Sequence, residues 1–155
     1  MATTLMDKAV GRLRKFLRDI DELNKLLEGK ESTDSQLRMA IEDALDDWNT
    51  TPPLLTPVTL ENHPAPRLLL RGAAIEVLMS AGIFYSRNRL NYSDGGITVA
   101  VFDRAQDYQA WANRFAQEYE AKKASTKKAI NIAQGWGGIP SEYREINSWW
   151  AGDGY

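Results

Sequence analysis

The chain has 155 residues, 43% of them hydrophobic, with 19 basic against 21 acidic side chains. That length makes one domain with enough apolar residues for a core, and the formal net charge of -2 removes the electrostatic case for general nucleic-acid binding. The absence of cysteine excludes disulfides, thiolate nucleophiles and cysteine-based zinc sites.

Residues 4–28 read as a first helix. Met6, Val10, Leu13, Leu17, Ile20 and Leu27 follow a spacing of four and three, widened by Leu5, Ala9, Phe16 and Leu23. Gly29 is the expected stop. The opposite face carries Lys8, Arg12, Arg14, Lys15 and Arg18. A solvated surface explains these cations more simply than contact with phosphate. The segment before them, Met1–Thr4, leads directly into charged residues, with no signal-peptide apolar core.

Thr33 with Gln36 forms a capping-box pattern. The helix it opens, Asp34 to about Trp48, has a buried face of Leu37, Ile41, Ala44, Leu45 and Trp48. Its other face holds Glu42, Asp43, Asp46 and Asp47 without the spacing or turn glycine of a calcium loop. Acids facing a basic partner are the better reading.

Asn49–Pro66 holds five of the six prolines and reads as a stiff loop, long enough to carry contact with a partner. The only histidine, His63, lies there without any neighbouring catalytic or ligand motif, and is read as structural. Pro66 suits the first turn of the next helix.

That helix, Leu68 to about Asn88, is apolar nearly all round and must be buried on most sides. Arg71 and Glu76 interrupt it, so no membrane span is expected. A hairpin follows over about Leu90–Phe102. It turns at Ser93-Asp94-Gly95-Gly96, and Ile97, Val99 and Val101 alternate with Thr98, Ala100 and Phe102. The glycines are no phosphate loop, because the downstream Gly-Lys-Ser/Thr is missing. A lone hairpin is marginal in water and needs a helix or another chain to cover it.

The second long helix starts at Asp103, capped with Gln106, and runs to Gln134. Its apolar face reads Tyr108, Trp111, Ala112, Phe115, Tyr119, Ile130 and Ala133. The basic patch Lys122–Lys128 has no interleaved aromatics for stacking on single strands and reads as a solubilising surface. Residues 135–155 form an aperiodic arm, in which Trp136, Tyr143, Trp149, Trp150 and Tyr155 are candidate interface anchors.

The expected architecture is therefore mainly α. A helical bundle over 1–134 carries one β-hairpin inserted between two long helices, with an extended C-terminal arm at 135–155. No catalytic constellation, cofactor loop or metal-ligand spacing is found, so the expectation is a non-enzyme without cofactors.

The stretch Asn88–Gly96 (Asn-Arg-Leu-Asn-Tyr-Ser-Asp-Gly-Gly), the helices around it, and the tail with Trp136 and Glu142-Tyr143 resemble the head–tail connector (adaptor or neck) proteins of tailed bacteriophages. The likeness covers roughly residues 65–145. It implies a virion subunit made in the host cytoplasm, assembled as a ring, commonly of twelve, between the portal protein and a downstream neck or tail protein. It further implies that DNA passes through the lumen without sequence-specific binding. The expected subunit or partner interface is Arg87, Arg89, Tyr92, Asp94, Ile97 and Val99 together with the arm aromatics. Two other classes are weighed: a small nucleic-acid-associated or regulatory helical protein using Arg12, Arg14, Lys15, Arg18 or Lys122–Lys128, and an enzyme using His63 with a carboxylate.

Overall fold

A computed structural model describes residues 4–24, 29–88, 93–94, 97–98 and 104–135. Helix α1, Leu5–Leu17, opens on Thr4, whose hydroxyl accepts from the Asp7 N–H while the Asp7 carboxylate accepts from the Thr4 N–H. That reciprocal cap satisfies two otherwise orphaned donors. The helix stops well short of the expected end at residue 28. Arg18 takes a left-handed conformation with φ 59, and its N–H bonds the carbonyls of Arg14 and Lys15. The cause is polar. Asp19 turns inward to receive the N–H groups of Glu31 and Ser32 at 2.7 and 2.9 Å, so the chain bends where periodicity alone would continue it. Gly29 is not the stop. Its carbonyl accepts from the Asn24 amide in the connection that follows.

Helix α2, Asp34–Thr50, has the capping box expected of Thr33 and Gln36. Helix α3, Pro66–Arg87, carries its proline at the start, where the missing N–H costs nothing. Helix α4, Arg104–Gly135, extends for 32 residues; the expected cap at Asp103 lies outside the described residues.

α3 is the centre of the bundle. By length and composition it is apolar enough to cross a membrane, Arg71 and Glu76 notwithstanding. Its seven buried residues, however, are used for packing: Leu68, Leu69, Gly72, Ala73, Ala74, Ile75 and Gly82. Leu69, Ala73 and Ala74 meet Val10 and Leu13 of α1 and Leu37, Ala40, Ile41 and Ala44 of α2 in one cluster. Leu68 and Ile75 belong to a second cluster with Trp48 and Tyr119. α4 runs antiparallel to α3, since Gly82 lies against Ala105 and Tyr108 while Gly72 lies against Tyr119. Gly72 leaves room for the Tyr119 ring: a Cβ there would sit 3.1 Å from it.

Among the described residues the hairpin expected over about 90–102 is not supported. What is present is Ser93–Asp94 paired antiparallel with Ile97–Thr98, two residues on each side. So short a ladder brings almost no cross-strand packing of its own. The other hairpin positions lie outside the described residues, as does the arm at 136–155.

Candidate functional site

The polar groups most capable of chemistry lie between elements rather than in one cleft. The largest cluster joins the C-terminal end of α2 to the middle of α4. The Asp47 carboxylate accepts from the Tyr119 hydroxyl at 2.7 Å and from Lys123 Nζ at 2.8 and 3.1 Å. Lys123 also donates to Glu120 at 2.8 Å and lies 4.8 Å from the Tyr119 ring centroid. Burial works to raise the Asp47 carboxyl, but the hydrogen bonds from Lys123 and Tyr119 outweigh it and hold the group below its ordinary value. Burial would lower the Lys123 ammonium, yet its hydrogen bonds to Asp47 and Glu120 carry it higher. Burial raises the Tyr119 phenol, reinforced by the hydrogen bond to Asp47.

One turn on, Lys127 donates to the carbonyls of Trp48, at 2.6 Å, and Thr51. Lys127 is 1% exposed and lies 5.5 Å from the Trp48 ring centroid. A cation here answers the negative end of α2 and its unpaired carbonyls. Burial and the neighbouring Lys123 charge lower its ammonium.

His63 packs against Trp48 with ring centroids 4.7 Å apart and planes tilted by 59°, so the loop histidine is a packing residue. Its Nδ1 accepts from the Ala65 N–H at 3.1 Å, which requires the proton on Nε2. Nε2 is buried with no partner among the described residues. Burial lowers this imidazole. No carboxylate or nucleophile bonds it among the described residues.

Two more clusters fix the connections. Arg14 is buried and donates to Asp19 at 2.8 Å, to Asp34 at 2.7 Å and to the Ser32 carbonyl at 2.8 Å, which removes it from any phosphate-contacting face. Glu31 accepts from the hydroxyls of both Tyr85 and Tyr108, whose rings stack at 5.5 Å. Among the described residues the Asp47, Arg14 and Glu31 networks leave no buried side-chain polar atom unpaired, and no three ligating side chains converge on a metal position.

The surface is more open. A groove of about 510 Å³ lies between the N-terminal half of α2 and the C-terminal half of α3, lined by Met39, Val77, Ala81 and Phe84 with Asp43 and Glu76 beside them. A second cleft, of about 700 Å³, gathers Arg12, Arg67, Arg71 and Lys122 around Ala65, Pro66 and Leu68. Comparison with protein-family models, curated proteins and solved structures finds no match to this chain.

Of the residues expected at an interface, Arg87 ends α3 with its side chain exposed. Asp94 and Ile97 are backbone partners in the short ladder. Arg89, Tyr92, Val99, Trp136, Tyr143, Trp149, Trp150 and Tyr155 lie outside the described residues. Two readings of α4 change. Trp111 and Ala133, expected on the buried face, are exposed. Lys123 and Lys127, expected to solubilise the surface, are buried. The spacing held the clue: Tyr119, Lys123 and Lys127 repeat every four residues on one side of the helix, and Ile130 continues it.

Proposed function

We propose that this protein is a structural virion subunit of a tailed phage: a ring-forming head–tail connector that joins the portal to the neck or tail. The observation that carries this reading is surplus apolar surface on a bundle whose core is already filled. Met79 and Ile83, four apart on α3, are exposed, as are Met39 and Phe84 beside the groove. Phe16 and Trp111 flank Phe115 at 5.7 and 5.9 Å in an aromatic ridge open to solvent. Large exposed apolar groups in such number favour contact with other chains. The internally satisfied polar clusters stiffen the subunit, which suits an assembly part better than a catalyst.

In this reading each copy meets the next through a heterologous contact that closes by rotation. The segment at 90–102, proposed as a hairpin, faces a neighbour, and the aromatics of 136–155 anchor on the portal or the downstream protein. Mass measurement of the full chain across a concentration series, alone and with a candidate portal, tests it. Closed oligomers, or capture by the portal, are expected. A monodisperse monomer that binds no portal would rule the assignment out.

The alternative of a small nucleic-acid-associated or regulatory protein draws on the cleft of Arg12, Arg67, Arg71 and Lys122. It requires binding to duplex DNA that weakens steeply with salt. Arg71 is already engaged by Glu118 at 2.6 Å, which reduces the charge on offer.

A further inference from the structure

The outward face of α1 and the α2–α3 groove carry opposite charge. Lys8, Arg12 and Lys15 stand at i, i+4 and i+7, on the side of α1 away from buried Val10 and Leu13. All three are exposed, and none forms an ion pair among the described residues. Exposed Leu5 and Phe16 border this ridge.

The groove is the inverse in both shape and sign. Met39, Val77, Ala81 and Phe84 give it an apolar strip; Glu31, Asp43 and Glu76 outnumber its one lysine, Lys30, and neither Asp43 nor Glu76 forms an ion pair among the described residues. Burial raises the Glu76 carboxyl, and the nearby charges of Asp43 and Asp47 push it the same way, so a cation seated beside it would relieve that repulsion. No α1 residue lines it. The ridge therefore cannot be serving the groove of its own chain.

From this complementarity we infer that α1 of a second copy seats in the groove, with Lys8, Arg12 and Lys15 against Asp43 and Glu76 and with Leu5 and Phe16 covering the exposed Met39 and Phe84. A helix of 13 residues is about 20 Å long, and the groove follows α3 from Glu76 to Tyr85, about 14 Å at the same rise. An amphipathic helix laid in an apolar groove is a recurring recognition mode. Ridge and groove occupy different faces, so the contact is heterologous: each copy offers one of each, and the chain of contacts ends only by closing. One helix in one groove is a small interface, so pairs should be weak and closure should supply the avidity. The inference rests on the ring reading and supplies its subunit contact.

The test is charge reversal in the full chain, read by sedimentation at low and high salt. The wild type should self-associate, less so at high salt because charges on the rim are screened. Lys8→Glu/Arg12→Glu should weaken association by roughly tenfold or more, and so should Asp43→Lys/Glu76→Lys. An equimolar mixture of the two should associate again, because each ridge then meets a groove of opposite sign. Circular dichroism confirms that both variants are folded; if the first is not, Lys8→Gln/Arg12→Gln replaces it and should weaken association in the same direction.

A wild type that associates while both folded variants associate equally well overturns this contact and leaves the ring reading standing. The contact is overturned in that case even if Lys8→Glu/Arg12→Glu loses retention on duplex DNA, a result that would assign the ridge to phosphate. Failure of the mixture to recover overturns it too. A wild type that stays monomeric at every concentration and salt overturns this contact, and if it also binds no portal it overturns the connector reading as well.

Discussion

Replacing Asp47 with alanine should destabilise the protein far more than replacing its partner Lys123 with methionine. The two side chains differ in exposure: that of Lys123 is 3% exposed and that of Asp47 is 41%. Removing Asp47 strands a buried ammonium with only Glu120, and leaves the Tyr119 hydroxyl without its acceptor. An unsatisfied buried polar group costs about 1–3 kcal/mol, and breaking a fully buried ion pair about 3–5 kcal/mol. The retained Glu120 contact lowers the total, so Asp47→Ala should cost about 3 kcal/mol. In Lys123→Met the half-exposed Asp47 rehydrates and keeps the hydroxyls of Tyr119 and Thr51. The methionine fills much the same space, and the loss should stay below about 1 kcal/mol. Urea unfolding followed by circular dichroism measures both.

The pH dependence follows from the same residue. Asp47 is held below its ordinary value in the folded state. Its stabilisation is therefore complete above the unfolded-state value, about 3.9, and is lost as pH falls through the lower folded value. Asp47→Asn should remove that part of the acid sensitivity. Equal losses for Asp47→Ala and Lys123→Met, or a larger loss for the lysine, would refute the argument from burial.

Three further outcomes are expected. Gly11→Ala should stabilise by about 0.5–1 kcal/mol because a Cβ there meets nothing within 4 Å, whereas Gly72→Ala should destabilise by about 1 kcal/mol because Tyr119, held by Asp47, cannot give way; thermal melts distinguish them. Arg14→Met should cost about 3 kcal/mol and raise hydrogen exchange at the Glu31 and Ser32 amides, since buried Asp19, their acceptor, loses its only cation among the described residues. His63 is lowered by burial, so the unfolded chain takes up its proton first as pH falls. Stability should decline below about pH 6.5, and His63→Gln should flatten that slope in urea midpoints measured from pH 7.5 to 5.

Periodicity and capping chemistry are local, and they made most of the helical layout readable. Thr33 and Gln36 placed the start of α2, Pro66 the start of α3, and the all-round apolarity of α3 placed it at the centre. The end of α1 was not readable. Its apolar stripe runs on through Ile20 and Leu23, but Asp19 is claimed by amides twelve and thirteen residues away, and no local pattern encodes such a partner. For the same reason Lys123 and Lys127 passed for a solvated patch. A lysine is buried only where a distant carboxylate or helix terminus awaits it, and here both come from α2, more than 70 residues earlier. Composition alone showed near-neutral charge, whereas folding left Lys8, Arg12 and Lys15 exposed on one face and Asp43 and Glu76 beside a groove on another. Helix ends and faces follow from neighbours along the chain; burial of charge and the pairing of surfaces depend on groups that meet only when the helices pack.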